Sequence, residues 1–388
     1  MVADYDTRAA TWSATVALDP GRNEIEIAAL DFAGREIERM EVVVEREGGL
    51  VELSGRIAVQ LDLQAGSGPF RIGGETTIAP GARVTFGPGC VIILGGDQSR
   101  LVVEGVLELL GTKEFPVEVR SASCGPGGIL FRRGVGSIKN VVADSFSSLT
   151  TPLIEVGGDA EVRIESSSLA GLEGVAIRAA GSSIVEVLES SIERATTAIS
   201  VAEDARVTLA GVAISDVGTG LLAVDGATSL RTSEIRRAEF AAAITGGAHL
   251  VDHLLLADSD TGLDASIGAY LDVRHLTVAG NQQGIVLRGA ALAASQRIAD
   301  SIIWQNGTGL DIAAAPEVEI RYSIVQDATP PGPGNLSIDP RFVDATRGDY
   351  RLAHDSPAAF AAEDGGYVGA YPALSRPEPP FIRGDADA

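Results

Sequence analysis

The chain has 388 residues, of which 45% are hydrophobic and only 5% aromatic, so a core must be built mainly from Val, Ile, Leu and Ala. Its formal net charge is −23, which disfavours nucleic acid and anionic membrane surfaces as partners because both would repel it. No apolar stretch approaches the roughly 18 residues of a spanning helix, so no membrane insertion is predicted.

The first residues and the cysteines bear on the compartment. Met1 is followed at once by a polar stretch that contains Asp4 and Asp6, so no secretory signal peptide is predicted here. We expect the sequence to be a fragment of a longer secreted protein. Cys90 and Cys124 are the only cysteines, and their spacing gives no disulfide framework. Two unpaired thiols are favoured, and a Cys90–Cys124 pair stays open.

Residues 1–48 are predicted to form an antiparallel β segment. Apolar and polar residues alternate at Trp12–Leu18, Ile25–Leu30 and Ile37–Val44, as expected for half-buried strands. The pattern resembles the closing strands of bacterial immunoglobulin-like sandwich domains. Three strands cannot close a sandwich, so the resemblance implies that the rest of such a domain lies upstream. The alternative is a β-ribbon packed on the end of the following domain.

From residue 66 to residue 123 the sequence changes to short β runs punctuated by Gly and Pro. These runs read T-T-I-A-P-G-A-R-V-T-F at 76–86, L-V-V-E-G-V-L-E-L-L-G-T at 101–112 and P-V-E-V-R at 116–120. They resemble the opening coils of right-handed parallel β-helix proteins of bacterial surfaces, which have the pectate-lyase-like fold. The resemblance implies a stack of coils that bury their apolar faces only against one another.

A repeat of about 22 residues fills the stretch from Val162 to Val325. Each copy has an apolar anchor, four mostly small or polar residues and a second apolar anchor. The first anchors are Ile164, Val187, Leu209, Leu230, Val251, Val273, Ile298 and Ile320. The second anchors are Leu169, Ile192, Ile214, Ile235, Leu256, Val278, Ile303 and Val325. Such a period is typical of a solenoid, and at ~22 residues per coil it predicts roughly eleven coils.

The repeat also predicts columns of equivalent residues along the solenoid, because stacked strands lie about 4.8 Å apart. The third position after the first anchor is serine in five copies and apolar in three. The serines are Ser167, Ser190, Ser233, Ser301 and Ser323. We predict a tight inner corner at this position, with hydroxyl groups that form hydrogen bonds along the stack.

Residues 330–371 depart from the repeat. They contain D-P-R-F-V-D at 339–344, G-D-Y-R-L at 348–352 and G-A-Y at 369–371. This order resembles the C-terminal segment that follows many bacterial surface β-helices. The resemblance implies that the segment covers the last coil, whose unpaired edge would otherwise recruit other strands.

Residues 372–388 read as a proline-rich linker followed by R-G-D-A-D. The ending resembles the first residues of a dockerin, in which Asp385 and Asp387 would be the first and third positions of a calcium loop. Two ligands are too few, so no calcium site is predicted unless the loop continues. A complete dockerin would imply a cohesin-like partner.

The resemblance to β-helix proteins includes polysaccharide lyases and hydrolases, so catalysis must be weighed. The Asn-Thr-Asp, Asp-Asp, Gly-His-Gly and Arg-x-Lys motifs of pectin hydrolases are absent from the sequence, and Lys113 and Lys139 are its only lysines. It contains no Cys/His metal spacing, phosphate loop or nucleophile elbow. We therefore predict no cofactor and no metal site.

One column could carry chemistry. The second position after the first anchor is His253, His275, Asp300 and Tyr322 in successive copies, with Arg274 next to His275. Stacking would place these side chains in register on one outward face. Such a set could abstract a proton from a uronic acid while an arginine neutralises its carboxylate. The alternative, which we favour, is that outward positions of any solenoid are polar.

These observations together predict an all-β protein with four parts. They are an antiparallel segment at 1–48, a right-handed parallel β-helix at 66–329, a C-terminal cap at 330–371 and a linker with the start of a dockerin at 372–388. The predicted function is a non-catalytic extracellular scaffold, or a module that contacts glycans, in a large modular bacterial surface or secreted protein. The alternative is a polysaccharide lyase or hydrolase that acts on acidic glycans through the His253–Tyr322 column.

Overall fold

The predicted all-β architecture is confirmed. The computed structural model describes residues 4–6, 11–13, 21–31, 34–46, 49–94, 99–121, 127–146, 151–266, 268–289, 296–312 and 318–375. It is a parallel β-helix of about 11 turns with short antiparallel sheets at its ends. The helical residues in this part of the chain form 3-10 turns at Ala65–Ser67, Ala345–Arg347 and Pro357–Phe360. No helix in the described ranges is long and apolar enough to cross a membrane.

The solenoid is one sheet system in which strands of successive coils pair in parallel. Its strands are Val51–Ile57, Gln60–Leu63, Phe70–Ile78, Arg83–Phe86, Val91–Leu94, Arg100–Val103, Val106–Leu110, Val117–Ser121, Gly128–Phe131, Val135–Lys139, Val141–Phe146, Ile154–Val156, Glu161–Glu165, Ser168–Ala179, Ile184–Leu188, Ser191–Ala210, Ala213–Thr245, Ala248–Ala257, Thr261–Ser266, Tyr270–Ala279, Gln283–Leu287, Gln296–Ala299, Ile302–Trp304, Thr308–Asp311, Val318–Arg321 and Ile324–Val325. Parallel pairing starts ahead of residue 66, because Val51–Ile57 pairs with Phe70–Ile78.

The anchors of the repeat have the predicted register. Val187 pairs with Ile164 on one side and Leu209 on the other, and the same column continues through Leu230 and Val251 to Ile320. Every first anchor is at most 7% exposed. Equivalent apolar anchors of successive coils therefore stack on one another in the core. Each coil buries its apolar residues against the next, as the period requires.

The ends of the chain carry the antiparallel pairs. Gly21–Leu30 and Glu36–Arg46 form a hairpin that contains the predicted runs at 25–30 and 37–44. Further pairs join Asp4–Asp6 with Thr11–Ser13 and Phe342–Asp344 with Asp349–Leu352. Most of the predicted run Trp12–Leu18 lies outside the described residues, so the immunoglobulin-like resemblance stays a prediction.

The serine corner is confirmed in detail. The hydroxyl of Ser190 accepts a hydrogen bond from the Ser167 amide at 3.1 Å and donates to the carbonyl of Leu188 in its own coil at 2.7 Å. The hydroxyls of Ser167, Ser233, Ser301 and Ser323 are bonded in the same way. A buried hydroxyl thus satisfies a backbone group in each of two coils where the strand direction changes.

The position just before the serine forms a second column, which we call the corner column. Its members have a left-handed backbone, with φ between 45° and 66°. They are Asn140, Ser166, Glu189, Gly211, Thr232, His253, His275, Asp300 and Tyr322. The left-handed residue turns the chain from one ladder into the next and directs its side chain away from the core. Of the candidate residues identified in the sequence for catalysis, His253, His275, Asp300 and Tyr322 belong to this column, and Arg274 precedes His275 by one residue.

Only one of the two cysteines can be described. Cys90 is buried, and its thiol donates to the carbonyl of Leu63 at 3.4 Å. Burial raises the pKa of this thiol to about 11, so Cys90 is an unreactive core residue. Cys124 lies outside the described residues.

His249 is a fully buried histidine whose protonation is linked to folding. Its Nε2 donates to the carbonyl of Gly246 at 2.8 Å, and its Nδ1 accepts from the Thr228 hydroxyl at 2.9 Å, as a neutral ring requires. Burial lowers its pKa below the ordinary 6.5. Below about pH 6.5 this histidine binds a proton in the unfolded chain but not in the folded chain. The free energy of unfolding therefore decreases as pH falls.

We therefore expect His249→Gln to reduce the pH dependence of stability. Below about pH 6.5 the wild type should lose up to about 1.4 kcal/mol more stability per pH unit than the variant. Urea unfolding across this range measures the difference. His354→Gln, at an exposed position, is the control and should retain the wild-type slope. Equal slopes for His249→Gln and the wild type would contradict a neutral buried His249.

Residues 337–375, which we call the C-terminal segment, lie along the flank of the last coils. The last coil is first closed by residues just before the segment, since Leu336 pairs with Ile324 and the side chain of Asn335 accepts from the Ser323 amide at 3.1 Å. The segment then buries Leu352 and Val368 against Ile302 and Ile324. It also buries Tyr350 and Ala370 against Leu255, Ala257 and Ala279. The segment was predicted to cover the last coil, and in the structure it also packs against the side of earlier coils.

Candidate functional site

Two of the predicted residues meet directly in the corner column. The imidazole rings of His253 and His275 are stacked, with centroids 4.4 Å apart and planes 5° apart. Asp252 Oδ1 lies 2.8 Å from Nδ1 of His253 and 3.4 Å from Nδ1 of His275. The His275 nitrogen is buried and makes no hydrogen bond within the described structure. The register predicted from the repeat therefore produces a compact His–His–Asp cluster.

The C-terminal segment covers this cluster through Tyr367. Its hydroxyl lies 2.7 Å from Nε2 of His253, and its ring centroid is 5.7 Å from that of His253 and 5.6 Å from that of His275. Burial raises the pKa of Tyr367. Burial, and then the neighbouring His253, lower the pKa of His275. Both groups are thus favoured in their neutral forms where the segment meets the column.

Asp300 is also covered, which corrects the prediction of an open outward face. It is only 4% exposed. Its Oδ1 accepts a hydrogen bond from the Glu363 amide at 2.8 Å, and its carbonyl accepts from the Gly369 amide at 2.8 Å. The physical reason is that the backbone of residues 363–369 needs acceptors, and the Asp300 carboxylate and carbonyl supply them.

The arginines near the column are divided between two surroundings. Arg274 is exposed and lies beside Asp252 on the neighbouring strand. Arg321 and Arg297 instead face the carboxylate of Glu363, at 3.1 and 3.5 Å. A carboxylate of the chain itself therefore lies where the alternative function would need a substrate carboxylate.

Tyr322 is in register with the cluster but takes no part in it. It belongs to the last coil, is half-buried, and its amide donates to the carbonyl of Pro333 at 2.8 Å. Of the predicted residues, His253 and His275 contact each other and Asp300 binds the C-terminal segment. Tyr322 and Arg274 lie outside the cluster. Asp385 and Asp387 lie outside the described residues.

A second attachment point of the segment involves the turn at Asp258. The Asp258 carboxylate accepts a hydrogen bond from the buried Tyr350 hydroxyl. Arg236 donates to the carbonyl of Gly348 at 2.7 Å, and the Tyr371 hydroxyl donates to Glu234 at 3.1 Å. The segment is therefore held by polar contacts on both sides of the His–His–Asp cluster.

Sequence reasoning did not connect Tyr367 and Glu363 with this site. Tyr367 lies two residues before the G-A-Y run at 369–371, which helped to indicate a covering segment and was the available signal. Its partner His253 is 114 positions away, and no repeat relates the two. Only the fold of the segment brings them together.

The chain is thus a parallel β-helix protein with a C-terminal segment docked on its flank. No protein-family model matches the sequence, and no curated protein matches it. Among solved structures, the chain is similar to the crystal structure of pectate lyase Pel9A. The TM-score is 0.46 and the sequence identity is 12%, and the match covers 77% of this chain and 88% of that chain. A similarity of this size transfers no residue role.

Proposed function

We propose that this chain is a non-catalytic, rigid scaffold that serves as a spacer module in a larger extracellular protein. The observation that carries the proposal is that the chain's own C-terminal segment covers His253, His275 and Asp300 of the corner column. About 11 turns, stacked at ~4.8 Å each, give a rod of roughly 50 Å. A stack of this kind holds its ends at a fixed distance because each coil is paired with both neighbours.

The contacts of Glu363 and Tyr367 favour a scaffold over a lyase. A lyase that acts on uronic acids needs a free base and free cationic groups for the substrate carboxylate. Here His253 is bonded to Tyr367, and Arg297 and Arg321 face Glu363. These three groups contact the docked segment and not a substrate, whereas Arg274, the arginine of the predicted set, is exposed beside Asp252.

The charge of an open groove elsewhere on the solenoid also disfavours a lyase that acts on acidic glycans. It lies at another corner and is lined by Glu203, Asp204, Asp225 and Arg206 together with small residues. Three carboxylates against one guanidinium disfavour an acidic glycan. The groove therefore supports neither the lyase alternative nor a module for acidic polysaccharides.

A polysaccharide assay tests the proposal. The full chain and its His275→Ala variant would be incubated with polygalacturonate and with alginate, with and without calcium, while unsaturated uronate absorbance and new reducing ends are followed. We expect no product from either protein. Product formation by the wild type that His275→Ala abolishes would overturn the scaffold and favour the lyase.

A further inference from the structure

We propose that Asp252, His253 and His275 form a binding site for a divalent transition-metal ion such as Zn²⁺. The carboxylate oxygen and the two imidazole nitrogens all lie within 4.8 Å of one another. The site needs neither catalysis nor a glycan, so it stands independently of the scaffold function.

The distances in the cluster are close to those of a coordinated ion. Metal–ligand bonds of about 2.0–2.2 Å hold neighbouring ligand atoms roughly 3.0–3.5 Å apart. Asp252 Oδ1 is 2.8 and 3.4 Å from the two Nδ1 atoms. The parallel rings must open toward the ion, since a nitrogen lone pair lies in its ring plane. Asp252 is half-exposed at 51%, so it can turn to admit an ion.

The hydrogen bonds of the two histidines leave the right atoms available. Nε2 of His253 is paired with the Tyr367 hydroxyl, an outer contact of the kind that orients a metal-bound imidazole. Nδ1 of His275 is buried and has no hydrogen-bond partner in the described ranges. By contrast, both nitrogens of buried His249 are already bonded. Nδ1 of His275 is thus a ring nitrogen that the cluster's own hydrogen bonds do not satisfy, and Nδ1 of His253 faces the Asp252 carboxylate at 2.8 Å, where an ion would lie between them.

The ligand types define the class of ion. Two imidazoles and one carboxylate suit Zn²⁺, Ni²⁺ or Cu²⁺, whereas Ca²⁺ and Mg²⁺ prefer oxygen ligands. Three protein ligands leave a position for water. Because Tyr367 contacts His253, a bound ion would also stabilise the docked C-terminal segment.

Metal titration of the full chain tests this site. Zn²⁺ binding would be measured by calorimetry in excess Ca²⁺, and Co²⁺ binding by its visible absorption spectrum. We expect one equivalent of Zn²⁺ to bind. Asp252→Asn and His275→Ala should each weaken affinity by at least about tenfold, and Tyr367→Phe by about tenfold, the size usual for an outer contact.

His354→Ala is the matched control, because His354 is an exposed histidine outside the cluster, and it should bind Zn²⁺ as the wild type does. Asp252→Asn changes only an exposed side chain and keeps the test valid if His275→Ala does not fold. The site is refuted if the wild type binds no Zn²⁺, if Ca²⁺ displaces it, or if Asp252→Asn binds with unchanged affinity. Polysaccharide turnover would overturn the scaffold without affecting this result.

Discussion

Deletion of residues 337–388 is expected to destabilise the last coils strongly. The deletion uncovers Leu255, Ile302 and Ile324, each at most 1% exposed in the intact chain. At roughly 1.5–3 kcal/mol for each aliphatic side chain, the lost burial is on the order of 5 kcal/mol. It also removes the contacts of Tyr350 with Asp258 and of Tyr367 with His253. We expect a lower melting temperature by circular dichroism and binding of an apolar-surface dye.

Phe360→Ser provides the control for this deletion. Phe360 belongs to the same segment, but its side chain is 84% exposed, so the variant should melt as the wild type does. A truncated chain with unchanged melting temperature and no dye binding would show that the segment does not dock. The truncated chain should also be inactive on polyuronates, and activity gained on truncation would instead identify the segment as a lid.

Phe131→Ala is expected to cost about 3–5 kcal/mol, the range for a buried phenylalanine that leaves a cavity. Phe131 is fully buried and pairs with Val103 in one neighbouring coil and Val156 in the other. Its ring fills the space beside Gly136, where an added Cβ would lie 2.6 Å from a ring carbon. The cavity would therefore remove packing contacts with both neighbouring coils. Urea unfolding should show a clearly lower midpoint.

Val135→Ala, in the same coil, distinguishes a core effect from a general loss of β propensity. Val135 is 48% exposed, so the substitution should change stability by no more than about 0.5 kcal/mol. Equal midpoints for Val135→Ala and Phe131→Ala would contradict the placement of Phe131 in the core.

The solenoid could be predicted from sequence because its contacts repeat. Val187 contacts positions one repeat before and after it, so the spacing of anchors alone gives the partners. The serine corner was predictable for the same reason. Ser190 meets the backbone of the coil 23 residues before it, and recurrence of a small hydroxyl residue at one position indicates a shared role.

The docked segment could not be predicted in this way. Tyr371 reaches Glu234 across 137 positions and Glu363 reaches Asp300 across 63, and no periodic rule relates these distances. The left-handed backbone of the corner column was also hidden. Its members share no single residue type. Asn140, Gly211 and Asp300, like the two histidines, are of types enriched at positive φ, whereas β-branched Thr232 and bulky Tyr322 seldom adopt this conformation. The part of the column from His253 to Asp300 was therefore predicted as an open polar face and is instead covered.

The chain's own C-terminal segment covers His253, His275 and Asp300 of the corner column, and amide hydrogen exchange tests this contact residue by residue. The amides of Glu363, Gly369 and Ala370 donate to Asp300 Oδ1, the Asp300 carbonyl and Thr277 Oγ1, each at 2.8 Å. We expect from this contact that these three amides exchange as slowly as amides in the adjacent solenoid strands. Exchange at the rate of an unstructured peptide would contradict it.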